Sequence, residues 1–274
     1  MTFSDKLRSV QRQTKSLLCV GLDVDPAKLP PSIRQSGNPI LEFSEQIINA
    51  TCDLVCAYKP NLAFFEALGT GGHETLKRVL ELIPKSIITI GDAKRGDIGS
   101  TAERYVVSLF DDFGFDAATV NPYLGFDSIE PFLRDEERGV FLLALTSNPG
   151  SKDFQRLKVG ARPLYERIVK KAKNWNTKKN LGLVVGATHP RELKSLRKLA
   201  PQMPFLIPGV GSQGGDLKSA VRFGCIEPGW GAVINASRSI LYASSGNDFA
   251  KAARTEALRM RDEITALINS QTSW

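Results

Sequence analysis

The chain has 274 residues and 42% hydrophobic content, enough to bury a full core as one large α/β domain or two small ones. Much of its net charge of +7 comes from five lysines within residues 170–179, a local patch more typical of a solvated face than of a nucleic-acid-binding surface. The first ten residues lack the apolar stretch of a signal peptide, and nowhere do about 18 apolar residues run together, so we expect a cytoplasmic protein with neither nucleic acid nor a membrane as partner.

Eight short runs rich in Val, Ile, Leu and Phe predict strands along the chain. They cover residues 16–23, 54–60, 86–92, 117–123, 139–147, 181–187, 204–209 and 231–237. The runs are continuous rather than alternating, which is typical of strands that are covered on both faces.

Helical patterns separate most of these runs. One helix is predicted to begin at Asn38-Pro39, where a capping residue precedes a proline at the first helical position. Further helices are predicted at 72–83, 100–112, 162–175, 190–199, 215–223 and from about residue 247 onward.

Strands that alternate with helices over about 250 residues predict an α/β protein with the (β/α)8 architecture of a TIM barrel. We expect residues 1–274 to form this single barrel domain, with an N-terminal helix. A doubly wound open sheet is the competing architecture.

Polar or glycine-rich groups follow several predicted strands at their C-terminal ends. They are Asp23, Lys59, Asp92 with Lys94, Asn121, Ser147, the stretch PGVGSQGG and Arg238. In a barrel these ends converge on one mouth, where active sites are built, whereas in an open sheet they spread along an edge. The pattern favours a barrel enzyme.

The stretch GDAKRGDIGST at residues 91–101 places four charges after a buried strand, where desolvation makes them costly. Asp92 and Lys94 are two positions apart and would point to the same face of a continuing strand. Lys59 would project into the same mouth, and with Asp97 these residues would form a network of alternating charge. The alternative is that Asp97 caps the next helix and pairs with Lys94 on the surface.

A lysine flanked by carboxylates is held in its charged form, which suits a proton donor rather than the amine nucleophile of a Schiff-base enzyme. A fixed ammonium beside fixed carboxylates can stabilise a carbanion and then protonate it. Decarboxylation is one reaction of this kind, because a neighbouring carboxylate disfavours the substrate's own carboxylate until CO2 departs.

The stretch GVGSQG at residues 209–214 matches the dinucleotide pattern G-x-G-x-x-G, but it follows the seventh strand and lacks an acidic residue about 20 positions on. In a barrel, the loops after strands seven and eight are the common phosphate site. Backbone N–H groups of this loop, with Gln213 and Arg238 as side-chain donors, would hold a phosphate monoester.

Cysteine and histidine positions give no metal-binding pattern. The chain has Cys19, Cys52, Cys56 and Cys225, without zinc spacing, and two histidines, His73 and His189. We expect reduced, structural thiols and no metal site built from these residues.

The residues DAKRGDI followed by Thr101 match the motif D-x-K-x-x-D-I-x-x-T, and through it the chain resembles the orotidine 5′-phosphate decarboxylase family. The match extends to GLDVDP, Lys59, TSNPG, PGVGSQGGD and SRSI, in order along essentially the whole chain. The stretch NPYLG is similar to the longer bacterial subgroup, type 2. Related sugar-phosphate enzymes share D-x-K-x-x-D, so a metal-dependent sugar-phosphate decarboxylase or aldol-type enzyme is the nearest alternative, and a nucleic-acid-binding protein is the alternative from another class.

The resemblance implies a carboxy-lyase that converts orotidine 5′-monophosphate to uridine 5′-monophosphate (UMP) and CO2, the last step of pyrimidine synthesis, without cofactor or metal. Lys94 would protonate C6 of the pyrimidine. Asp92 would crowd the substrate carboxylate and orient Lys94, and Lys59 would join the charge network.

The resemblance also implies a homodimer with shared active sites, in which Asp97, Ile98 and Thr101 reach into the neighbouring subunit's site.

The substrate contacts implied by the resemblance come from other strand ends. Asp23 would bind ribose hydroxyls, Ser147 would contact the base, and Gln213 and Arg238 would hold the phosphate. Many members carry glycine before this arginine, whereas Ser237 stands here, a departure that concerns the backbone of the phosphate contact.

Overall fold

A computed structural model describes residues 1–210 and 214–270, and ten strands are assigned in this part of the chain. They are β1 (Leu18–Leu22), β2 (Ala57–Pro60), β3 (Ile88–Arg95), β4 (Ala117–Val120), β5 (Gly139–Leu145), β6 (Lys158–Val159), β7 (Arg162–Pro163), β8 (Leu181–Val185), β9 (Phe205–Pro208) and β10 (Ala232–Ala236). All but β6 and β7 form a closed parallel barrel in the order β1-β2-β3-β4-β5-β8-β9-β10, and β10 pairs back to β1. The predicted (β/α)8 barrel is confirmed, and the open doubly wound sheet is excluded.

Helices surround the barrel. They are α1 (Phe3–Thr14), α2 (Pro31–Arg34), α3 (Pro39–Thr51), α4 (Leu62–Glu66), α5 (Gly72–Glu81), α6 (Gly99–Val106), α7 (Glu130–Leu133), α8 (Leu164–Trp175), α9 (Pro190–Leu199), α10 (Leu217–Gly224), α11 (Arg238–Leu241) and α12 (Phe249–Asn269). Among the described residues, no helix is both long and apolar enough to cross a membrane.

Each predicted apolar run overlaps one barrel strand, because a strand buried on both faces is apolar over most of its length. Every residue of β1, β8 and β10 is buried. Strand β3 differs, since it continues past its apolar part and carries partly exposed residues to Arg95.

The helix start predicted at Asn38-Pro39 is confirmed, and the Asn38 side chain caps the helix. Helix α3 begins at Pro39, and the Asn38 Oδ1 accepts a hydrogen bond of 3.1 Å from the Leu41 amide. The last helix buries apolar side chains at helical spacing, namely Phe249, Ala253, Ala257, Met260 and Ile264.

Two predicted helices differ from the structure. Helix α8 begins at Leu164 and not at residue 162, because Arg162 and Pro163 pair with Lys158–Val159 in a small antiparallel hairpin. The helix predicted over 100–112 is α-helical only to Val106 and continues as a π-helix over Val107–Asp112. The spacing of apolar residues in the sequence reveals neither the hairpin nor the change to a π-helix.

The N-terminal helix closes one end of the barrel. Phe3, Leu7 and Val10 of α1 belong to the same buried cluster as inward strand residues. Gln11 bonds to the backbone at the start of β10: its Nε2 donates to the Ala232 carbonyl at 2.6 Å, and its Oε1 accepts from the Gly231 amide at 3.0 Å. Since α1 covers the N-terminal ends of the strands, the opposite mouth is left for a site.

Candidate active site

Charged and polar side chains from neighbouring strands meet at the C-terminal mouth of the barrel. Lys59 lies near the end of β2, Asp92 and Lys94 lie on β3, and Thr119 lies on β4. Together with Ser147 after β5, these residues line a cavity of about 420 Å³. The inward apolar side chains Leu143, Val184 and Leu206 line the same cavity and lower its polarity.

Asp92 is held between two ammonium groups. Its Oδ2 lies 2.6 Å from the Lys59 Nζ, and its Oδ1 lies 2.5 Å from the Lys94 Nζ. The Lys59 side chain is 5% exposed and that of Asp92 is 11% exposed, whereas the Lys94 side chain is 49% exposed at the mouth. The set of three therefore has one deeply buried ammonium and one that faces the opening.

Burial and charge oppose each other in this group. Burial alone would raise the pKa of Asp92, but the charges of Lys59 and Lys94 and their hydrogen bonds outweigh it and hold that pKa well below its usual range. Burial likewise disfavours the charged form of Lys59, yet Asp92 and Asp23 overcome this and raise the pKa of Lys59 above its usual value. Asp92 is therefore ionised, and Lys59 charged, at neutral pH.

The backbone at Lys94 is not that of a regular strand. Lys94 has a φ of 50°, in the left-handed region, and the pairing of β3 with β4 shifts register between Gly91 and Arg95. The Lys94 amide donates 2.9 Å to the Thr119 Oγ1. The two side chains that sequence reasoning placed on one face of a continuing strand thus meet through a locally distorted backbone.

Asp97, Ile98 and Thr101 lie outside this group of charges. The Asp97 carboxylate accepts a 2.8 Å hydrogen bond from the Ile98 amide, and within residues 1–210 and 214–270 no ion pair joins it to Lys94. Helix α6 has no side-chain cap, so Asp97 does not cap it. Ile98 and Thr101 are exposed at the start of this helix.

Asp23 follows β1 and approaches the end of β10. Its Oδ2 accepts 2.7 Å from the Ser237 Oγ, while its Oδ1 is buried with no hydrogen-bond partner in the described part of the chain. Gly21 permits this approach, since a Cβ there would lie 2.9 Å from the Ser237 Cβ. An orphaned carboxylate oxygen is a ready acceptor for a ligand hydroxyl.

Arg238 is exposed at the first position of α11, directly after β10. Ser237, which stands where many family members carry glycine, has a φ of −125°, outside the left-handed region that favours glycine. Gln213, the other predicted phosphate ligand, lies outside the described residues. On either side of it, the Gly215 amide donates a hydrogen bond of 3.0 Å to the Gly209 carbonyl.

Sequence reasoning missed several residues of the cavity, namely Thr119, Thr146, Asn148 and Gln155. Thr119 had a usable signal, because it is a polar residue within a predicted apolar strand. Gln155 had no such signal in the sequence. It lies in an irregular segment after a short turn, and only the folded chain brings it to Thr146.

The cysteines are free thiols, and burial raises the pKa of Cys56 to about 12. The described residues contain no group of three or more His, Cys, Asp or Glu side chains placed to hold a metal ion.

Comparison with known proteins identifies a family that the chain matches. Residues 16–254 match the model of the orotidine 5′-phosphate decarboxylase / HUMPS family. An orotidine 5′-phosphate decarboxylase from Dehalococcoides mccartyi is 52% identical over 268 residues, covering 96% of this chain and 97% of that protein. One from Roseiflexus sp. is 48% identical over 270 residues, covering 98% and 99%.

Solved structures of the same kind share the fold. The OMP decarboxylase of Leishmania donovani superimposes with a TM-score of 0.86 at 39% identity, covering 98% of this chain and 99% of that one. The UMP synthase of the same organism gives a TM-score of 0.88 at 40% identity, covering 98% of this chain and 57% of that longer chain.

Proposed function

The chain belongs to the orotidine 5′-phosphate decarboxylase / HUMPS family and is a decarboxylase, and from this premise we propose that it converts orotidine 5′-monophosphate to UMP and CO2 with Lys94 as the proton donor to C6. The reaction would be the last step of pyrimidine biosynthesis. The observation that carries the proposal is the group formed by Lys59, Asp92 and Lys94 at the barrel mouth.

Asp92 is proposed to act on the substrate's carboxylate. Its low pKa keeps it ionised, and both of its oxygens already bind ammonium groups, so it takes up no proton from an incoming acid. A substrate carboxylate bound beside it is repelled, and the repulsion disappears as CO2 leaves. Remote binding energy, chiefly from the phosphate, offsets the cost of bringing the two carboxylates together.

Lys94 is proposed to act on the carbanion that remains. Its ammonium group is the member of the set that faces the opening, with half of the side chain exposed. Held at 2.5 Å by Asp92, the ammonium can lie beside C6, stabilise the negative charge and then donate its proton.

The remaining substrate contacts are proposed for residues that lie after the ends of other barrel strands. We propose that the orphaned Oδ1 of Asp23 accepts from a ribose hydroxyl, and that Ser147, on the cavity wall, contacts the base. Arg238 would pair with the phosphate beside the glycine-rich loop that contains Gln213.

We also propose a homodimer with shared sites in the cytoplasm. Asp97 makes no ion pair with Lys94 within the described chain, and exposed apolar side chains lie on neighbouring loops at the mouth, Ile98 being 55% and Tyr123 81% exposed. Helix α6 packs on α7 and on the turn Phe126–Ser128, so these exposed groups border one surface. A second copy that covers this surface could bring its Asp97 to the site.

An absorbance assay tests the proposed reaction. Addition of pure protein to orotidine 5′-monophosphate should remove the substrate's absorbance and yield UMP, and no change beside an active control enzyme would refute the proposal. A chelator should leave the rate unchanged. Loss of activity on chelation, restored by Mg²⁺, would instead favour the metal-dependent sugar-phosphate chemistry.

A further inference from the structure

Thr119 is a buried side chain on a different strand that hydrogen-bonds to both Asp92 and Lys94. It lies on β4, and 1% of its surface is exposed. We infer that Thr119 is a positioning residue, which fixes the Asp92 carboxylate and the Lys94 backbone for proton transfer; the inference rests on the proposed function.

The two hydrogen bonds of the Thr119 hydroxyl have fixed directions. A backbone amide can only donate, so the Thr119 Oγ1 accepts from the Lys94 N–H at 2.9 Å. The single hydroxyl hydrogen is then donated to the Asp92 Oδ1 at 3.0 Å. One hydroxyl therefore joins the two residues of the proposed proton-transfer pair.

The bond to the Lys94 amide holds an uncommon backbone conformation. A φ of 50° is rare for a residue with a side chain, and it persists only where the surroundings impose it. The irregular register between Gly91 and Arg95 interrupts the normal ladder between β3 and β4 at this point. The Thr119 hydroxyl supplies the acceptor for the Lys94 amide at this interruption.

The bond to Asp92 fixes the carboxylate's orientation. The Asp92 Oδ1 accepts from both the Thr119 hydroxyl and the Lys94 Nζ, while Oδ2 accepts from the Lys59 Nζ. Because threonine is β-branched and this one is buried, its hydroxyl has little rotational freedom. A carboxylate held from three sides keeps the Lys94 ammonium at one place.

Three variants separate this role from a merely structural one. Thr119→Val keeps the shape and removes the hydroxyl, and Thr119→Ser keeps the hydroxyl. Thr51→Val is the matched control, since Thr51 is equally buried and bonds to the Ile47 carbonyl and the Tyr58 hydroxyl on the outer layer, away from the mouth.

Kinetics give the first readout. We expect Thr119→Val to lower kcat on the order of 10- to 100-fold with little change in KM, since small misplacement of reacting groups slows chemistry more than binding. Thr119→Ser should recover most of the rate, and Thr51→Val should retain wild-type kinetics although it is less stable. A Thr119→Val protein with unchanged kcat would overturn the inference, as would equal losses in Thr119→Val and Thr119→Ser.

Hydrogen exchange gives a second readout that needs no turnover. The Lys94 amide should exchange faster in Thr119→Val than in the wild type or Thr119→Ser, and unchanged exchange would overturn the inference. Failure of the wild-type protein to decarboxylate the substrate would refute the proposed function itself, and with it the catalytic part of the role assigned to Thr119.

Discussion

At the scale of single residues, Lys94 concentrates the proposed chemistry in one ammonium group. Lys94→Ala should lower kcat on the order of 10³-fold or more, because it removes both the charge that stabilises the carbanion and the proton donor. The measurement is turnover of orotidine 5′-monophosphate by the folded variant, with product binding as a check on the site. Lys85→Ala, an exposed lysine before β3, is the control.

A rate for Lys94→Ala within a few-fold of the wild type would contradict the proton-donor role while leaving the family assignment intact.

Asp92 contributes to stability as well as to chemistry, because its removal leaves the buried Lys59 side chain, 5% exposed, without its ion-pair partner. Asp92→Asn should therefore lower the free energy of unfolding by about 3 kcal/mol at pH 7. Urea denaturation of the two proteins across a pH series measures the difference.

The pH dependence of that difference has a definite sign. The pKa of Asp92 is lowered by folding, so its contribution is complete well above its unfolded value near 4 and is lost as the pH falls toward the folded pKa. The pKa of Lys59 is raised, so its contribution is complete below about 10 and is lost as the pH rises through the folded pKa. The stability gap should be flat from about pH 5 to 9 and shrink in acid; a gap that stays constant down to pH 3 would contradict this account.

At the scale of elements, the loop after β5 is fastened to the start of α9. The His189 Nε2 lies 3.1 Å from the Thr146 carbonyl, and its Nδ1 lies 2.9 Å from an Arg156 guanidinium nitrogen. Arg156 is itself paired with Glu192 at 2.7 Å. Because the guanidinium can only donate, Nδ1 accepts and Nε2 donates to Thr146, the neighbour of Ser147.

His189→Ala should therefore loosen the loop that carries Ser147. We expect about a 3- to 10-fold weaker affinity for UMP, measured by calorimetry, with a smaller change in kcat because Asp92 and Lys94 are not touched. His73→Ala removes the other histidine, which pairs with Asp112 on the outer surface, and should leave affinity unchanged. Equal affinities for both variants would contradict the role assigned to the contacts of His189 with Thr146 and Arg156.

The strands show how much of the fold local sequence patterns predict. Continuous apolar runs predicted all eight barrel strands, and Asn38-Pro39 predicted the start of α3. The same reasoning treated β3 as a regular strand through Lys94, whereas the structure has a left-handed residue and a register shift there. A bulge depends on the pairing with β4, which no pattern within β3 encodes.

At the scale of the whole molecule, the lack of an ion pair between Asp97 and Lys94 within the described residues leads to a prediction about assembly. If two chains share their sites, mixing Lys94→Ala protein with Asp97→Ala protein should restore activity, because each mixed dimer would hold one site with both native residues. The check is activity after the two inactive variants are unfolded together and refolded, compared with each variant treated alone, while sedimentation reports the mass of the native protein.

Independent chains would give no recovery on mixing. A fully active wild-type monomer would likewise contradict the shared site.

The sequence by itself determined the barrel and the types of residue at its mouth, because strand burial and helix capping depend on short stretches of chain. Tertiary structure alone decided which of those residues meet. Lys59 reaches Asp92 from 33 positions away, and Thr119 joins Lys94 from 25 positions away, whereas Asp97, three positions from Lys94, forms no ion pair with it in the described part of the chain. Contacts across strands depend on register and on local backbone distortion, and these are set by the closure of the whole barrel rather than by any segment within it.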